Sequence, residues 1–297
     1  MKRLFKTIYK LIPFKREFFT LLKIIWKPHA TTYQHFHFVG VFNVAIDKIK
    51  KFKIKHYGYQ IENEIFWAGL TNGWEKVSIN LWIKLCEDSE VIVDIGANTG
   101  VYSLIAKTVN PHATVYAFEP VSRVFSKLKE NILLNNFDII HIEKAVSDSD
   151  GTAIIYDTSS EHTYSVTVNR NLSSPQTKVI ETKIAIVSLD SFIQQNNVKK
   201  IDLMKIDVET HEPEVLDGFR SYLNQYRPTM LVEILNDEVG RKVSSAVQGL
   251  DYLYFNINEK GGIRQVDKIT KSDYYNYLLC NSKTALKLGL IEQSGLQ

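Results

Sequence analysis

The sequence predicts an α/β fold built on a seven-stranded, mostly parallel sheet with helices on both faces, an antiparallel last strand and an inserted β-hairpin region. In residues 91–100, three β-favouring apolar residues lead to Asp94 and then to a turn that contains Gly96 and Gly100. From residue 101 onwards, apolar runs typical of strands alternate with segments of helical period. Because such alternation produces parallel strands joined by helices, we expect a ligand pocket at one edge of the sheet.

The individual elements follow from periodicity and from turn residues. We predict strands at 91–94, 114–118, 139–143, 203–207, 230–235, 251–258 and 277–280, and helices at 74–85, 101–109, 123–134, 189–194 and 213–219. Short β-type runs at 153–156, 166–168 and 178–187 predict a hairpin insertion at about 151–187. Residues 1–72 are expected to form an accessory region, and residues 73–297 the main domain.

The glycine turn does not fit a dinucleotide. In the fingerprint G-x-G-x-x-G that begins at Gly96, the second glycine position holds Asn98 and the third holds Val101. A pyrophosphate is therefore poorly accommodated, which disfavours a nicotinamide cofactor. S-adenosylmethionine has no pyrophosphate, and it needs a loop that passes nearby and acids that receive an ammonium group and a ribose. We therefore predict a Rossmann-like pocket for S-adenosylmethionine.

Two acids at strand ends are the predicted partners of this cofactor. Asp94 ends the first strand and is expected to receive the ammonium group, directly or through water. Glu119 follows the strand at 114–118, about one βαβ unit later, where such folds bind a ribose. Around them, Gly96 and Gly100 are expected to let the backbone pass close to the ligand. From the residues alone, the predicted cofactor site comprises Asp94, Gly96, Ala97, Asn98, Gly100, Glu119 and Pro120.

Several motifs together resemble one family. They are Val93-Asp-Ile-Gly-Ala-Asn-Thr-Gly100, Phe118-Glu-Pro120, Ala145-Val-Ser-Asp148, Ser188-Leu-Asp190 and Met204-Lys-Ile-Asp-Val-Glu-Thr-His-Glu212. Over about residues 73–235, the chain resembles the class I S-adenosylmethionine-dependent methyltransferases, and the FkbM family in particular. The resemblance implies a sugar, glycan or secondary-metabolite acceptor. It also implies that Asp148 binds the adenine amino group, although a turn-forming role before Gly151 explains this residue almost as well.

One position departs from the family pattern. The family resembled here usually has glycine after the Asp-Val-Glu element, whereas this chain has Thr210. A threonine adopts a positive φ only at a cost in free energy. Either the turn at this point is not left-handed, or the site is remodelled.

Methyl transfer to an alcohol requires removal of the hydroxyl proton. The turn after the strand at 203–207 supplies four candidate catalytic residues, namely Asp207, Glu209, His211 and Glu212. Asp207 is the first choice by position and His211 the second by chemistry. His211 can equally be a surface residue at a helix entry, and Glu212 can serve to cap that helix. No compact ligand motif supports a metal site made from Asp207, Glu233 and His211, and none is predicted.

The N-terminal segment is basic and partly amphipathic. It carries Lys2, Arg3, Lys6, Lys10, Lys15, Arg16, Lys23 and Lys27 against Glu17, beside the apolar residues Leu4, Phe5, Ile8, Leu11 and Ile12. Residues 1–28 can therefore lie at an anionic membrane surface, or form a helix that packs on the catalytic domain with a solvated basic face. The segment lacks the features of a secretion signal, and Cys86 and Cys280 do not suggest a disulfide scaffold. A cytoplasmic protein without a nucleic-acid partner is expected.

These observations predict an S-adenosylmethionine-dependent O-methyltransferase that acts on a hydroxyl group. The acceptor is expected to be a small molecule or a glycan, and the sequence does not indicate an oligomeric state. A nicotinamide-dependent oxidoreductase and a non-catalytic, membrane-docked binding protein on the same fold are the alternatives.

Overall fold

The computed structural model describes residues 13–158 and 179–292 of the 297-residue chain. The strand predicted at 166–168 lies outside the described residues. The same is true of the apolar residues between positions 4 and 12 in the predicted amphipathic segment. The chain divides into two compact units, Met1–Trp74 and Glu75–Gln297.

The first unit has a small aromatic core. Its described elements are α1 (Lys15–Ile25), α2 (Ala30–Tyr33), β1 (Gly40–Ala45), β2 (Lys51–His56) and α3 (Gln60–Ala68). The two strands pair in antiparallel fashion. Along β2, Phe52, Ile54 and His56 are buried and alternate with lysines, as a half-buried strand requires. Residues Phe19, Tyr33, Phe38, Phe66 and Trp67 form the core of this unit.

The second unit contains the alternating elements that the sequence predicts. In chain order they are α4 (Lys76–Cys86), β3 (Val91–Ile95), α5 (Val101–Val109), β4 (Thr114–Phe118), α6 (Ser122–Asn135), β5 (Ile140–Ile142), β6 (Ala145–Val146), β7 (Gly151–Thr158), β8 (Val179–Val187), α7 (Leu189–Asn196), β9 (Leu203–Ile206), α8 (Glu212–Asp217), α9 (Arg220–Tyr226), β10 (Thr229–Glu233), α10 (Asp237–Ala246), β11 (Leu253–Asn258), β12 (Gly262–Val266), β13 (Asn276–Cys280) and α11 (Ser282–Lys287).

The main sheet has the order β12-β11-β13-β10-β9-β3-β4-β5. Strands β5, β4, β3, β9 and β10 are parallel, and β13 is antiparallel to both of its neighbours. From β3 the chain first adds strands on one side and later adds β9 and β10 on the other. The order therefore reverses between β3 and β9, and the crevice outside the carboxyl ends of these two strands is the expected ligand site.

The prediction of an α/β fold with an antiparallel last strand is confirmed, with one difference in the sheet. The main sheet has eight strands instead of the predicted seven, because Gly262–Val266 pairs with β11 as an additional edge strand. This short stretch has no clear alternation of apolar and polar residues, so its periodicity does not predict a strand. The predicted insertion contains the antiparallel pair β7 and β8, which forms a separate three-stranded sheet with β6.

The turn after β9 is left-handed at two consecutive residues. Glu209 has a φ of 54° and Thr210 a φ of 81°. The buried Glu212 carboxylate holds this turn, because its Oε1 accepts hydrogen bonds from the amides of Val208 at 3.1 Å and Thr210 at 3.3 Å. The structure therefore excludes the first option for Thr210, because the turn is left-handed at this residue. The threonine stands in a conformation that favours glycine and carries the associated strain.

Replacing Thr210 by glycine is expected to raise the free energy of unfolding by about 1 kcal/mol, because it removes a β-branched side chain from a positive φ. Chemical denaturation of the two proteins measures this difference. The matched control is Thr152→Gly, at an exposed strand position that is not among the positive-φ residues, and this change should lower stability. A loss of stability in Thr210→Gly similar to that in the control would contradict the assignment of strain.

Candidate active site

The two glycines of the turn after β3 allow close contacts within the protein. Gly96 has a φ of 78°, and a Cβ atom at this position would lie 1.8 Å from the carbonyl oxygen of Asp207. Gly100 has a φ of 93°, and its Cβ would lie 2.6 Å from Leu128 Cδ1. That these glycines also let the backbone pass close to a ligand stays a prediction. Gly96 brings the end of β3 against the end of β9, and Gly100 lets α5 begin against α6.

Glu119 closes the glycine turn from the end of β4. Its Oε2 accepts a hydrogen bond from the Asn98 amide at 3.0 Å, and its Oε1 accepts one from the Val121 amide at 2.9 Å. Burial raises the pKa of Glu119 to about 7, although these two amides and Arg123 favour the charged form. Beside it, the Asn98 Oδ1 atom is buried and has no hydrogen-bond partner among the described residues. These oxygens can accept hydrogen bonds from a ligand that carries hydroxyl or amino groups.

The remaining residues of the predicted cofactor site frame this turn. Asp94 is buried at the end of β3, and its Oδ2 accepts a hydrogen bond from Ser103 Oγ at 2.6 Å. Burial raises the pKa of Asp94 to about 6. The amides of Gly96 and Ala97 both donate to the Phe118 carbonyl oxygen, which ties the turn to β4. Pro120 is half-buried directly after Glu119.

Lys205 is a buried cation in the middle of the sheet. It lies on β9, pairs in register with Asp94 on β3, and is only 2% exposed. Its Nζ donates to Asp207 Oδ2 at 2.7 Å and lies 4.6 Å from the centre of the Tyr102 ring. Burial alone would lower the pKa of Lys205, but the charges of Asp207 and Glu75 raise it above its ordinary value. Lys205 therefore stays charged at neutral pH and holds the Asp207 carboxylate in place.

Further acids surround the Lys205–Asp207 pair. Glu75 accepts a hydrogen bond from the Tyr102 hydroxyl, and burial raises its pKa. The pKa of Glu233, at the end of β10, is raised by burial and by the charge of Asp207. The site thus concentrates carboxyl groups around one lysine, and burial keeps Glu75 and Glu233 protonated to a higher pH than usual.

Two buried polar atoms in this cluster have no hydrogen-bond partner within residues 13–158 and 179–292. Glu233 pairs in register with Asn276 on the antiparallel strand β13. The Glu233 Oε2 and Asn276 Oδ1 atoms are both buried without a hydrogen-bond partner among the described residues. Because buried polar atoms are normally satisfied, this pair is suited to a ligand that donates hydrogen bonds next to Asp207.

The predicted candidates after Asp207 have other surroundings. The His211 Nε2 atom lies 3.0 Å from Ser147 Oγ, and its Nδ1 lies 3.5 Å from Glu214 Oε2. Burial lowers the pKa of His211, against the opposing charges of Glu214 and Asp148. His211 therefore contacts the segment that carries Asp148, an exposed residue whose Oδ1 accepts a hydrogen bond from Ser149 at 2.9 Å.

Glu209 and Glu212 belong to the turn itself. Glu209 is half-buried in a left-handed conformation. The contacts of Glu212 are those of a residue that caps the turn, and burial raises its pKa to about 8. Within the predicted catalytic set, Asp207 forms an ion pair with Lys205.

Sequence reasoning did not assign a role to Lys205, Tyr102, Glu75 or Asn276. For Lys205 a signal existed, because it is the one charged residue in the otherwise apolar strand Leu203–Ile206 and lies two positions before Asp207, on the same face. Tyr102 and Glu75 reach the cluster from α5 and from the start of α4, and no local spacing connects them with β9. Within 13–158 and 179–292, no group of three His, Cys, Asp or Glu side chains has an arrangement that could hold a metal ion.

Comparisons with known proteins show similarity to several methyltransferases. The chain is 30% identical over 160 residues to the hexuronic acid methyltransferase AglP of Haloferax volcanii, an alignment that covers 54% of this chain and 62% of that protein. It is 27% identical over 153 residues to the 31-O-demethyl-FK506 methyltransferase FkbM of Streptomyces tacrolimicus, with 43% and 59% coverage. The chain thus spans about three fifths of the length of these relatives.

Among solved structures, a methyltransferase FkbM from Methylobacillus flagellatus matches with a TM-score of 0.42 and 15% identity, covering 65% of this chain and 44% of that one. Residues 94–262 match the methyltransferase FkbM domain. This match includes the glycine turn, Glu119 and the Lys205–Asp207 pair, and it extends over more than half of the chain. The protein therefore belongs to the FkbM methyltransferase family.

Proposed function

We propose that this protein is an S-adenosylmethionine-dependent O-methyltransferase that acts on a hydroxyl group of a sugar, glycan or secondary metabolite. The observation that carries the proposal is the position of Asp207. It lies at the switch point of the sheet, against the glycine turn, and it is paired with a buried lysine beside the two unpartnered oxygens of Glu233 and Asn276.

The residues of the glycine turn fit S-adenosylmethionine. The unpartnered Asn98 oxygen and the Glu119 carboxyl group provide acceptors for ribose hydroxyls, and the fold places ligands at this edge. Asp94 would favour the ammonium group by its charge, and Asp148 would bind the adenine amino group. When bound, S-adenosylmethionine supplies a methyl group carried by a positively charged sulfur.

The residues around Asp207 would prepare the acceptor for this transfer. Asp207 would accept the hydroxyl proton while the acceptor oxygen gains the methyl group, and Lys205 would keep the carboxylate oriented towards that oxygen. Glu233 and Asn276 would receive neighbouring hydroxyl groups of the acceptor. A half-buried site of this kind also limits the access of water, which would otherwise compete with the acceptor for these hydrogen bonds.

The charge of the site favours a hydroxyl acceptor over a carboxylate. Asp207 is neutralised by the Lys205 ion pair, Asp94 adds a negative charge, and Glu75 and Glu233 stay protonated to a higher pH than usual, so the site has no surplus of positive charge to attract a carboxylate. The two relatives described above are named for a hexuronic acid and for the 31-O position of a demethylated FK506. The second name specifies an oxygen acceptor, and the first specifies a sugar acid, which carries both hydroxyl and carboxyl oxygens.

A screen of sugars, glycans and hydroxylated metabolites with isotopically labelled S-adenosylmethionine tests the proposal. Transfer of label to a hydroxyl oxygen is the expected result. Transfer to a carboxylate would overturn the acceptor class, while tight binding of NADH with no affinity for S-adenosylmethionine would favour the oxidoreductase. Cofactor binding without turnover on any acceptor would favour a non-catalytic protein.

The affinity for S-adenosylmethionine is expected to increase by up to about tenfold between pH 6 and pH 8. The raised pKa of Glu119, about 7, means that the carboxyl group is mostly protonated at pH 6 and mostly ionised at pH 8, where it accepts hydrogen bonds from a ribose better. Calorimetric titration at several pH values measures this change. In Glu119→Gln, affinity should be weaker and should change by only about twofold over this range, from the ionisation of Asp94. If the affinity of the variant changes with pH as much as that of the unchanged chain, a group other than Glu119 causes the pH dependence.

Replacing Asp207 by asparagine is expected to lower kcat by about 10²–10⁴-fold, because the amide cannot accept the hydroxyl proton. Steady-state kinetics with the acceptor identified in the screen measure the loss, and calorimetry should find the cofactor still bound. Asp217→Asn is the matched control, since this aspartate pairs with Arg220 on the surface, and its kcat should not change. An unchanged kcat in Asp207→Asn would remove Asp207 as the base.

Replacing Lys205 by methionine is expected to lower kcat at pH 7 by at least about tenfold and to move the acidic limb of the pH–rate profile to higher pH. The positive charge of the lysine disfavours protonation of the clustered carboxyl groups. Without that charge, these groups bind a proton at a higher pH. Lys205→Arg should restore part of the activity.

The control for a general effect of a buried lysine is Lys107→Met. Lys107 is also buried and binds the Ala113 carbonyl oxygen and Asp138. This control should lose stability while the acidic limb stays in place. If Lys205→Met behaves like Lys107→Met, Lys205 has a structural role alone.

A further inference from the structure

Helix α1 has an apolar stripe that the described residues of its own unit, 13–74, leave exposed. Phe14, Phe18, Leu21 and Ile25 follow one another at intervals of four, three and four residues, which places them on one face of the helix. These four side chains are between 60% and 84% exposed, and the neighbouring Ile24 is 76% exposed. Contiguous exposed apolar side chains of this number are uncommon on soluble proteins and indicate a surface that meets a partner.

The opposite face of α1 anchors the helix to its unit. Phe19 is 4% exposed, stacks on Phe36 with 5.5 Å between ring centres, and meets the edge of Trp67 at 5.4 Å. Lys23 reaches across to the Phe66 carbonyl oxygen. Because these contacts fix the helix, the exposed stripe is held in place on a folded unit and is not needed for the core of that unit.

The charge of the chain is strongly divided between its two units. Residues 1–74 contain thirteen lysines and arginines against four acids, a net charge of +9. Since the whole chain has a net charge of +3, residues 75–297 carry −6. At the turn between β1 and β2, Ile49 is 86% exposed and stands between Lys48 and Lys50. The first unit therefore offers apolar side chains together with an excess of cations.

We propose that the first unit binds to the surface of an anionic lipid bilayer through the α1 stripe. The four stripe residues would enter the boundary between headgroups and acyl chains, and the lysines of the unit would face the anionic headgroups. An anionic bilayer matches both properties, since it accepts apolar side chains without a shaped pocket and attracts positive charge. The inference goes beyond methyl transfer and does not depend on the identity of the acceptor.

The length of α1 determines how it meets the bilayer. Its eleven residues correspond to about 16 Å, roughly half of the hydrocarbon thickness. In the part of the chain that the structure describes, no helix combines the length and the apolar character needed to cross a membrane. The helix would therefore lie parallel to the surface, with the stripe facing the lipid and Phe19 facing its own unit.

Cosedimentation of the full chain with lipid vesicles tests the proposal. Vesicles of phosphatidylcholine with about one third phosphatidylglycerol are expected to bind the protein, and pure phosphatidylcholine vesicles at least about tenfold less. Raising the salt concentration from about 0.1 to 0.5 M should weaken binding to the anionic vesicles. Equal sedimentation with both vesicle types, or none with either, would overturn the proposal.

Point variants distinguish binding through the stripe from nonspecific binding through other exposed apolar side chains. Combining Phe18→Ser, Leu21→Ser and Ile25→Ser should lower the partition coefficient on anionic vesicles by more than about tenfold. The matched control combines Leu133→Ser and Ile154→Ser, two exposed apolar positions of the second unit, and should bind as the unchanged chain does. Circular dichroism and cofactor titration of the stripe variant should match those of the unchanged chain, which excludes unfolding as the cause.

Charge variants and light scattering complete the test. Combining Lys48→Glu, Lys51→Glu and Lys53→Glu should weaken binding to anionic vesicles, whereas Lys283→Glu in the second unit should not. Light scattering measures the oligomeric state of the unchanged chain and of the stripe variant. If the unchanged chain is a dimer, the stripe substitutions convert it to a monomer and neither protein binds vesicles, the stripe is a contact between two copies and the lipid proposal is wrong.

Discussion

The contact between Gly96 and the Asp207 carbonyl oxygen is the constraint on which the site depends. Any side chain at position 96 would place a Cβ 1.8 Å from that oxygen, so the ends of β3 and β9 can meet only with glycine here. The order of the sheet reverses between these two strands. This contact therefore joins the turn proposed to bind the cofactor with the residue proposed to act as the base, directly after two adjacent strands.

The second determinant is the imbalance of buried charge around Asp207. A lone buried carboxylate would lose its charge, since burial raises the pKa of an acid, as it does for Asp94, Glu119 and Glu233. Asp207, whose side chain is 29% exposed, forms a direct ion pair with Lys205. The lysine is in turn covered by the Tyr102 ring and flanked by Glu75. The cluster thus combines one fixed charge pair with protonatable neighbours and unpartnered oxygens, which suits a hydroxyl ligand.

Much of this arrangement could be predicted from the sequence because it is local. Periodicity located β4 and α5 at their observed bounds, and the acids at 94, 119 and 207 could be placed at strand ends because strands stop at polar residues. The contacts between elements could not be predicted. That Gly96 touches Asp207, or that Tyr102 covers Lys205, depends on which strands become neighbours. The left-handed Thr210 contradicts local preference, because the Glu212 carboxylate and the packing of α8 hold the turn. In the first unit, lysines and apolar residues intermix at 36–59, so periodicity did not predict the hairpin of β1 and β2. Its inward face is defined only by the burial of alternate residues in the folded unit.

A crystal structure of the protein with S-adenosylhomocysteine tests the central claim most directly. The account predicts that the ribose hydroxyls lie about 3 Å from the carboxylate of Glu119 and that the sulfur lies over the ends of β3 and β9, on the side of Asp207. A ligand bound elsewhere on the chain, or with its sulfur directed away from the Lys205–Asp207 pair, would contradict it.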